Sequence, residues 1–257
     1  MSQRLNKAKA IIEQSGNTFH CKVLKDLQKK GWKVLISPYY NDNVSSKPRE
    51  IDLIAEKEFN PVDCRRTPFR TVKMKLFIEC KYIPQITVFW FHSKDKPKAE
   101  YLVTRTTSLE KGYPHIKKHH YLAGVESVAK LFASEGKNSA DNEIFYKALN
   151  QSLNAMVSYG KEPTGQNGYV HKTVNYPIIV CNSFDNLYRV EIDTDTEPSK
   201  ITENFQLEVN YAYMTSNGNN INEYFLIDIL NFVLFDNFLE KIKDDAELVH
   251  CYLSTLK

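Results

Sequence analysis

Cysteine and glycine are scarce in this 257-residue chain, at five and nine residues. Cys21, Cys64, Cys80, Cys181 and Cys251 are scattered, odd in number and never spaced as CxxC. That pattern argues against a disulfide framework and against structural zinc, and it fits reduced thiols in a cytoplasmic protein. The few glycines build no phosphate-cradling loop and no GxSxG elbow, which argues against an NTPase and an α/β-hydrolase. Long apolar runs are missing as well. The most apolar segment, Phe225 to Phe238, is interrupted by Asp228, Asn231 and Asp236, so it cannot span a bilayer and no membrane association is expected. Met1 to Lys7 has no apolar stretch after its charges, unlike a secretory signal. Nor does one sign of charge dominate: 34 Lys+Arg against 31 Asp+Glu leave +3, so any basic surface for nucleic acid must be local.

What is present describes a globular protein with a full core: 42% hydrophobic, 12% aromatic and 25% charged residues, outside the range of disordered chains. There is no internal repeat or low-complexity linker, and the stretch from Gly160 to Lys172 is the one plausible boundary, so a single domain over 1–257 is expected. A short helix is predicted over Leu5–Ile12. A second covers Phe19–Lys30, with Thr18 as N-cap, Phe19, Val23 and Leu27 on one face, and Gly31 as its stop. Strands are predicted at Trp32–Tyr40, Arg49–Glu56 and Met74–Tyr82, then at Tyr176–Cys181, Leu187–Ile192 and Phe205–Tyr213, while the apolar run Ile86–Phe91 fits a strand or a buried segment. Helices are predicted over Ile116–Phe132, over Asp141–Tyr159, and from about Asn222 to the end. The order gives an α/β fold.

Two of these strands hold ionisable groups among apolar neighbours. In Arg49-Glu50-Ile51-Asp52-Leu53-Ile54-Ala55, alternation sets Ile51, Leu53 and Ala55 on one face and Glu50 and Asp52 on the other. In Leu76-Phe77-Ile78-Glu79-Cys80-Lys81 it sets Glu79 and Lys81 together, opposite Ile78 and Cys80. If the strands pair, Asp52, Glu79 and Lys81 converge at one end of a sheet. Charge beside an apolar sheet costs several kcal/mol unless paired or metal-bound. Two carboxylates on adjacent strands form a hard oxygen site suited to Mg²⁺, and with a lysine beside them the chemistry that fits is phosphodiester hydrolysis.

The arrangement Asp52…Glu79-Cys80-Lys81, preceded by an amphipathic helix, resembles the PD-(D/E)xK nuclease superfamily. The closest echo is its Mrr-like branch, where a Gly-x-x-Phe helix start, Arg-Glu-Ile-Asp and Glu-Cys-Lys come in this order; here these are Gly16–Phe19, Arg49–Asp52 and Glu79–Lys81. The recognisable core covers about residues 10–92. The resemblance implies a restriction-endonuclease-like mixed central sheet flanked by helices and Mg²⁺- or Mn²⁺-dependent hydrolysis of nucleic acid, usually DNA, with RNA left open. Asp52, Glu79 and the Cys80 carbonyl would be metal ligands and Lys81 the catalytic lysine. A setting in defence against foreign DNA and a homodimer follow by analogy. Many relatives carry a glutamate just after the aromatic residue of the first helix; His20-Cys21-Lys22 stands there instead, with Glu50 or Glu13 as possible substitutes. The triplet alone says little, since up to about four D/E-x-K matches arise by chance in such a composition, and Glu135-Gly136-Lys137 is another. Its place on an apolar strand is what gives it weight.

Other features are weaker. Arg65, Arg66, Arg70 and Lys73 lie between the two site strands and could clamp phosphates beside the scissile bond; Lys117 and Lys118, near Tyr113, are similar. Gln151 on a later helix is an auxiliary candidate, although the surface of that helix is its simpler place. His115 and His119 stand at helical spacing with no carboxylate or cysteine at ligand spacing, so they are not read as zinc ligands. The competing class is a catalytically inactive nuclease fold that binds nucleic acid or a protein partner.

Overall fold

The computed structural model describes residues 2–14, 16–42, 47–59, 70–124, 126–136, 144–159, 170–194, 196–214 and 218–255. The N-terminal part follows the hydrophobic spacing closely. Helix α1 runs Ser2–Gln14 and α2 runs Asn17–Lys29, with Phe19, Val23 and Leu27 buried. The expected Thr18 cap is corrected: Thr18 lies inside α2, and Gly16 occupies the cap position at φ 69°. At the other end, Gly31 takes φ 79° and Trp32 N–H donates to Leu27 O at 3.1 Å, the six-to-one bond of a Schellman stop that needs the glycine.

The strands follow as β1 (Lys33–Ile36), β2 (Tyr39–Asn41), β3 (Pro48–Glu50), β4 (Leu53–Phe59), β5 (Arg70–Lys81) and β6 (Thr87–Ser93). Next come α3 (Lys96–Thr107), β7 (Ser127–Ser134), α4 (Ile144–Tyr159), β8 (Val170–Cys181), β9 (Leu187–Glu191), β10 (Ser199–Lys200), β11 (Phe205–Met214), β12 (Asn220–Asn231) and α5 (Phe235–Thr255). Ten strands form one mixed sheet in the order β1-β4-β5-β8-β12-β11-β7-β6-β9-β10, and β2 and β3 form a separate hairpin. The sheet is antiparallel from β1 through β5, then parallel from β5 to β8 and from β8 to β12. Helices flank it, so the α/β class stands. No helix among the described residues is long and apolar enough to cross a membrane.

Strand β5 is the spine of the core. Leu76, Phe77 and Ile78 are consecutive and all at 0% exposure, so both faces of the strand are covered, and α2, α4 and α5 all pack against it. The same holds at the start of β4, where Leu53, Ile54 and Ala55 are all buried. Alternation therefore fails there as a guide to which side is wet, as is usual for interior strands of a mixed sheet.

Two predicted helices are overturned, and one helix was not foreseen. The helix expected over Ile116–Phe132 is a short 3₁₀ turn at 116–118 followed by β7, which pairs with both β6 and β11. The helix expected from Asn222 begins only at Phe235; Tyr224 to Leu230 lies in β12, buried between β8 and β11. An apolar run buried on all sides has no periodicity to separate strand from helix. Helix α3 was not anticipated, yet it carries a local signal. Asp95 accepts from Lys98 N–H at 3.1 Å as N-cap, and Pro97 sits in the first turn.

Candidate active site

The segment leading into β4 is not the continuous strand expected over Arg49–Glu56. It breaks at Ile51 and Asp52, between β3 and β4. Ser37, at φ 49°, turns the chain out of β1, and its N–H donates to Asp52 O at 2.9 Å, while Ile51 N–H donates to Pro38 O at 3.2 Å. Ile51 is fully buried and anchors the break. Helix α4 holds the β2–β3 hairpin from its other side. Gln151 Nε2 donates to Glu50 O at 2.9 Å, Asn154 Nδ2 to Asp42 Oδ2 at 3.3 Å, and the Tyr159 hydroxyl to Tyr39 O at 2.6 Å. Gln151 is thus tied to the backbone two residues before Asp52, as a positioning residue. Gln151→Ala is expected to lower stability by about 1 kcal/mol, the usual net value of one hydrogen bond, read as a shift in the urea midpoint.

Asp52 stands one residue before the β4–β5 ladder, whose first pair is Leu53 with Ile78. Its N–H donates to Glu79 Oε1 at 3.3 Å, and its own Oδ2 accepts from Cys80 N–H at 2.8 Å. The two carboxylates are therefore locked to each other's strand through backbone groups. Lys81 Nζ lies 2.5 Å from Glu79 Oε2 and 3.6 Å from Asp52 Oδ2, and His20 Nε2 of α2 lies 3.4 Å from the same Asp52 oxygen. Glu79 is at 0% exposure, whereas Asp52, Lys81 and His20 are only partly covered. The trio thus has a buried root and an open edge.

Burial pushes the Glu79 carboxyl up to about 8; the Lys81 ammonium opposes this and the Asp52 charge adds to it. Burial pulls Lys81 down, but Glu79 and Asp52 more than restore it, so its pKa stands above the ordinary lysine value. Burial also pushes the Cys80 thiol well up, which disfavours a thiolate ligand although its sulfur, His20 and Asp52 offer ligand atoms within 4.8 Å of one another. The donor set fits a divalent cation: two carboxylates share one ammonium, and a buried carboxyl held above its ordinary pKa is what a cation would relieve. As they stand, Asp52 and the imidazole of His20 are the groups that could hold it; Glu79, outside that cluster and with its oxygens engaged by Asp52 N–H and Lys81, would first have to release one of them. A nitrogen donor beside carboxylates suits Mn²⁺ at least as well as Mg²⁺.

The remaining expected residues are placed as follows. The Cys80 contact with Asp52 is made by its N–H, with no such contact from its carbonyl. The Glu50 carboxylate accepts from the Tyr39 hydroxyl opposite it in the hairpin and raises that tyrosine's pKa. Arg65 and Arg66 lie outside the described residues, as does the side chain of Arg70. Lys73 pairs with Glu56 at 4.0 Å. It lies six residues along β5 from Glu79, about 20 Å at the usual strand rise, so it cannot clamp a phosphate beside the site. Lys117 and Lys118 are exposed on the 3₁₀ turn, without an ion pair or hydrogen bond to the Asp52 group.

A second polar centre was not read from the sequence. His119, His120, Asp228 and Asp245 are all buried, beside Tyr121 and Tyr176. His120 Nδ1 faces Asp245 Oδ2 and its Nε2 faces Asp228 Oδ2 at 3.2 Å, while its N–H donates to Asp245 Oδ1 at 3.0 Å. Tyr121 N–H donates to His119 Nδ1 at 3.2 Å, and the Tyr176 hydroxyl donates to Asp245 Oδ2 at 3.0 Å. His119, His120 and Asp245 offer ligand atoms within 4.8 Å of one another, but the ring nitrogens are committed. Both His120 nitrogens serve carboxylates, which requires an imidazolium, and a donor at His119 Nδ1 sets the proton on Nε2. The centre holds protons, and His115 stays exposed outside it.

Comparison of the chain with protein-family models, curated proteins and solved structures finds no match in any of the three.

Proposed function

We propose that the protein is a divalent-metal-dependent nuclease that hydrolyses phosphodiester bonds of DNA, with Asp52, Glu79 and Lys81 as its catalytic group. The observation that carries this reading is the mutual locking of Asp52 and Glu79 across the end of the β4–β5 ladder, with Lys81 against both. The resemblance to the PD-(D/E)xK superfamily, noted on the same residues, agrees with it. A cation held by the Asp52 and Glu79 carboxylates would supply charge neutralisation at the phosphate and lower the pKa of water. To serve as a ligand, Glu79 would have to be in its carboxylate form. Lys81 orients the attacking water or balances charge on a phosphate oxygen, from a position that its two carboxylate partners fix. His20 stands on the open side of Asp52, where it can join the ligand set or hold a water. The mixed sheet supports a restriction-endonuclease-like assignment, and the free thiols of Cys21, Cys80, Cys181 and Cys251 suit the cytoplasm. Defence against foreign DNA and pairing of two copies to cut both strands belong to this reading by analogy alone.

A second reading is a nuclease fold that binds nucleic acid or a protein partner without cutting. It is favoured by one observation, the imidazole of His20 in place of a carboxylate beside Asp52.

The test is incubation of the purified protein with supercoiled plasmid and with single-stranded DNA in Mg²⁺, Mn²⁺ and EDTA. Cleavage that needs the cation and falls roughly 10²–10⁴-fold in Lys81→Ala and in Asp52→Asn is expected. Cleavage that survives in both variants would remove the site. No cleavage with either cation, alongside DNA binding, would select the second reading.

A further inference from the structure

Beside the hairpin that carries the chain into Asp52 lies a cleft of about 950 Å³, at the upper end of the roughly 300–1,000 Å³ found for ligand pockets. Its wall on α4 presents Tyr146, Lys147, Asn150, Gln151 and Asn154; the hairpin contributes Tyr40, Asp42 and Arg49, and β11 contributes Asn210 and Tyr211. Phe132, Leu149, Val209 and Ala212 complete the lining, so four side-chain amides and three tyrosines stand among apolar side chains, a mixture suited to a ligand with a flat apolar face and a polar edge. Two cations, Arg49 and Lys147, stand against one carboxylate, Asp42, which is already engaged by Asn154.

Asp52, Glu79 and Lys81 do not line the cleft; the hairpin and one hydrogen bond tie it to them. Arg49 is three residues from Asp52 in the chain, and Gln151 joins the cleft wall to the carbonyl of Glu50. Tyr40, buried in the cleft floor, has its hydroxyl pushed up by burial and then by the Glu79 charge, which sets the two sites within electrostatic reach.

We infer that this cleft binds unpaired nucleotides of the substrate strand next to the scissile phosphate, an inference that rests on the nuclease reading above. Unpaired bases offer a π-face and a Watson–Crick edge, and these are what tyrosine rings and primary amides recognise. Bases inside a duplex keep that edge turned inward, out of reach of the amides. Tyr146 is the ring positioned for stacking, at 39% exposure. Asn150 and Gln151 each spend one N–H on a backbone carbonyl, Tyr146 O at 2.8 Å and Glu50 O at 2.9 Å. That bond fixes the amide plane and keeps its oxygen and second N–H for a base edge. Arg49 and Lys147, both exposed, serve the flanking phosphates.

The experiment is fluorescence anisotropy in EDTA at low salt, with a short labelled oligonucleotide offered single-stranded and as its blunt duplex. Single-stranded DNA is expected to bind at least tenfold more tightly than the duplex. Tyr146→Ala should weaken single-strand binding roughly 5- to 100-fold, the range for losing one stacked base, with duplex binding unchanged. A 2-aminopurine in the strand should be quenched on binding to the parent and not to the variant. Tyr146 is exposed enough that the variant should fold, which its melting temperature checks, and Asn150→Ala provides an independent variant on the same wall. Equal affinity for the two forms, no binding of either, or single-strand affinity untouched in both variants overturns the inference. The nuclease reading is judged separately by cation-dependent cleavage lost in Asp52→Asn, a variant expected to keep single-strand binding. Cleavage without strand preference removes the cleft's role alone. Strand preference without cleavage removes the nuclease alone.

Discussion

His120→Gln is expected to destabilise the protein by about 3–5 kcal/mol, the usual result of taking one partner out of a buried charged network. The imidazole lies between Asp228 of β12 and Asp245 of α5, with the rings of Tyr121 and Tyr176 packed at a tilt against it and Lys94 Nζ donating to Tyr121 O at 2.8 Å. Without the imidazolium, two carboxylates face each other across a buried gap. The network also gives stability a pH dependence of known sign. Burial lowers the His120 pKa, but Asp245 and then Asp228 outweigh it and lift it to about 9. Its contribution is therefore complete below the unfolded value of about 6.5 and is lost as pH rises through about 9. Burial drives His119 down to about 4, so its neutral form contributes fully above about 6.5 and that contribution is lost as pH falls through about 4. Taken by themselves, these two imidazoles give a maximum near pH 6.5 with a loss of up to about 3 kcal/mol on each side. Urea unfolding across this range measures it, and the alkaline limb should flatten in His120→Gln. An unchanged pH profile in the variant would show that His120 is not the imidazolium described.

Glu79→Gln should do two opposite things. Under the nuclease reading it lowers cation-dependent cleavage by about 10³-fold or more, since a metal ligand is lost along with the main partner of Lys81. It should also make the folded protein more stable at alkaline pH. The Glu79 carboxyl is held at about 8 in the fold against an ordinary 4.5, so the folded chain binds a proton that the unfolded chain has released. Stability therefore falls as pH climbs from 4.5 to about 8, and the amide removes that slope. A gain of about 1–3 kcal/mol above pH 8 is expected once the lost pairing with Lys81 is set against it. The two forms should differ in their response to cations too. Saturating Mn²⁺ raises the melting temperature of the parent, with about 2.7 kcal/mol available at a hundredfold excess over Kd, and leaves Glu79→Gln nearly unmoved. A parent that shows no thermal shift with Mn²⁺ or Mg²⁺ would remove the metal from the proposal.

The trio Asp52, Glu79 and Lys81 was legible because it is local. Both strands belong to one hairpin, and a charged triplet at the end of an apolar run is visible without knowledge of the rest of the fold. The amphipathic α2 was legible for the same reason, its apolar positions being set by its own spacing. The His120 centre was not, because it collects side chains from four distant segments around residues 120, 176, 228 and 245. A signal did exist: Asp228 is the one charged residue between Tyr224 and Leu230, and a lone carboxylate in such a run needs a partner. Lys73 was misplaced by reading adjacency in sequence as adjacency in space. An antiparallel hairpin sends its connection away from the end where Asp52 and Glu79 meet.

The position of β5 also bears on how the protein is made. The hairpin holding Asp52 and Glu79 is followed only later in the sequence by β8, which closes the second edge of β5, and by α5, which packs on it. Such non-local contacts form late. Until β8 and α5 have docked, β5 lacks the partners that enclose it on one edge and one face. Under the nuclease reading, the surroundings of the catalytic group thus depend on elements distant from it in sequence.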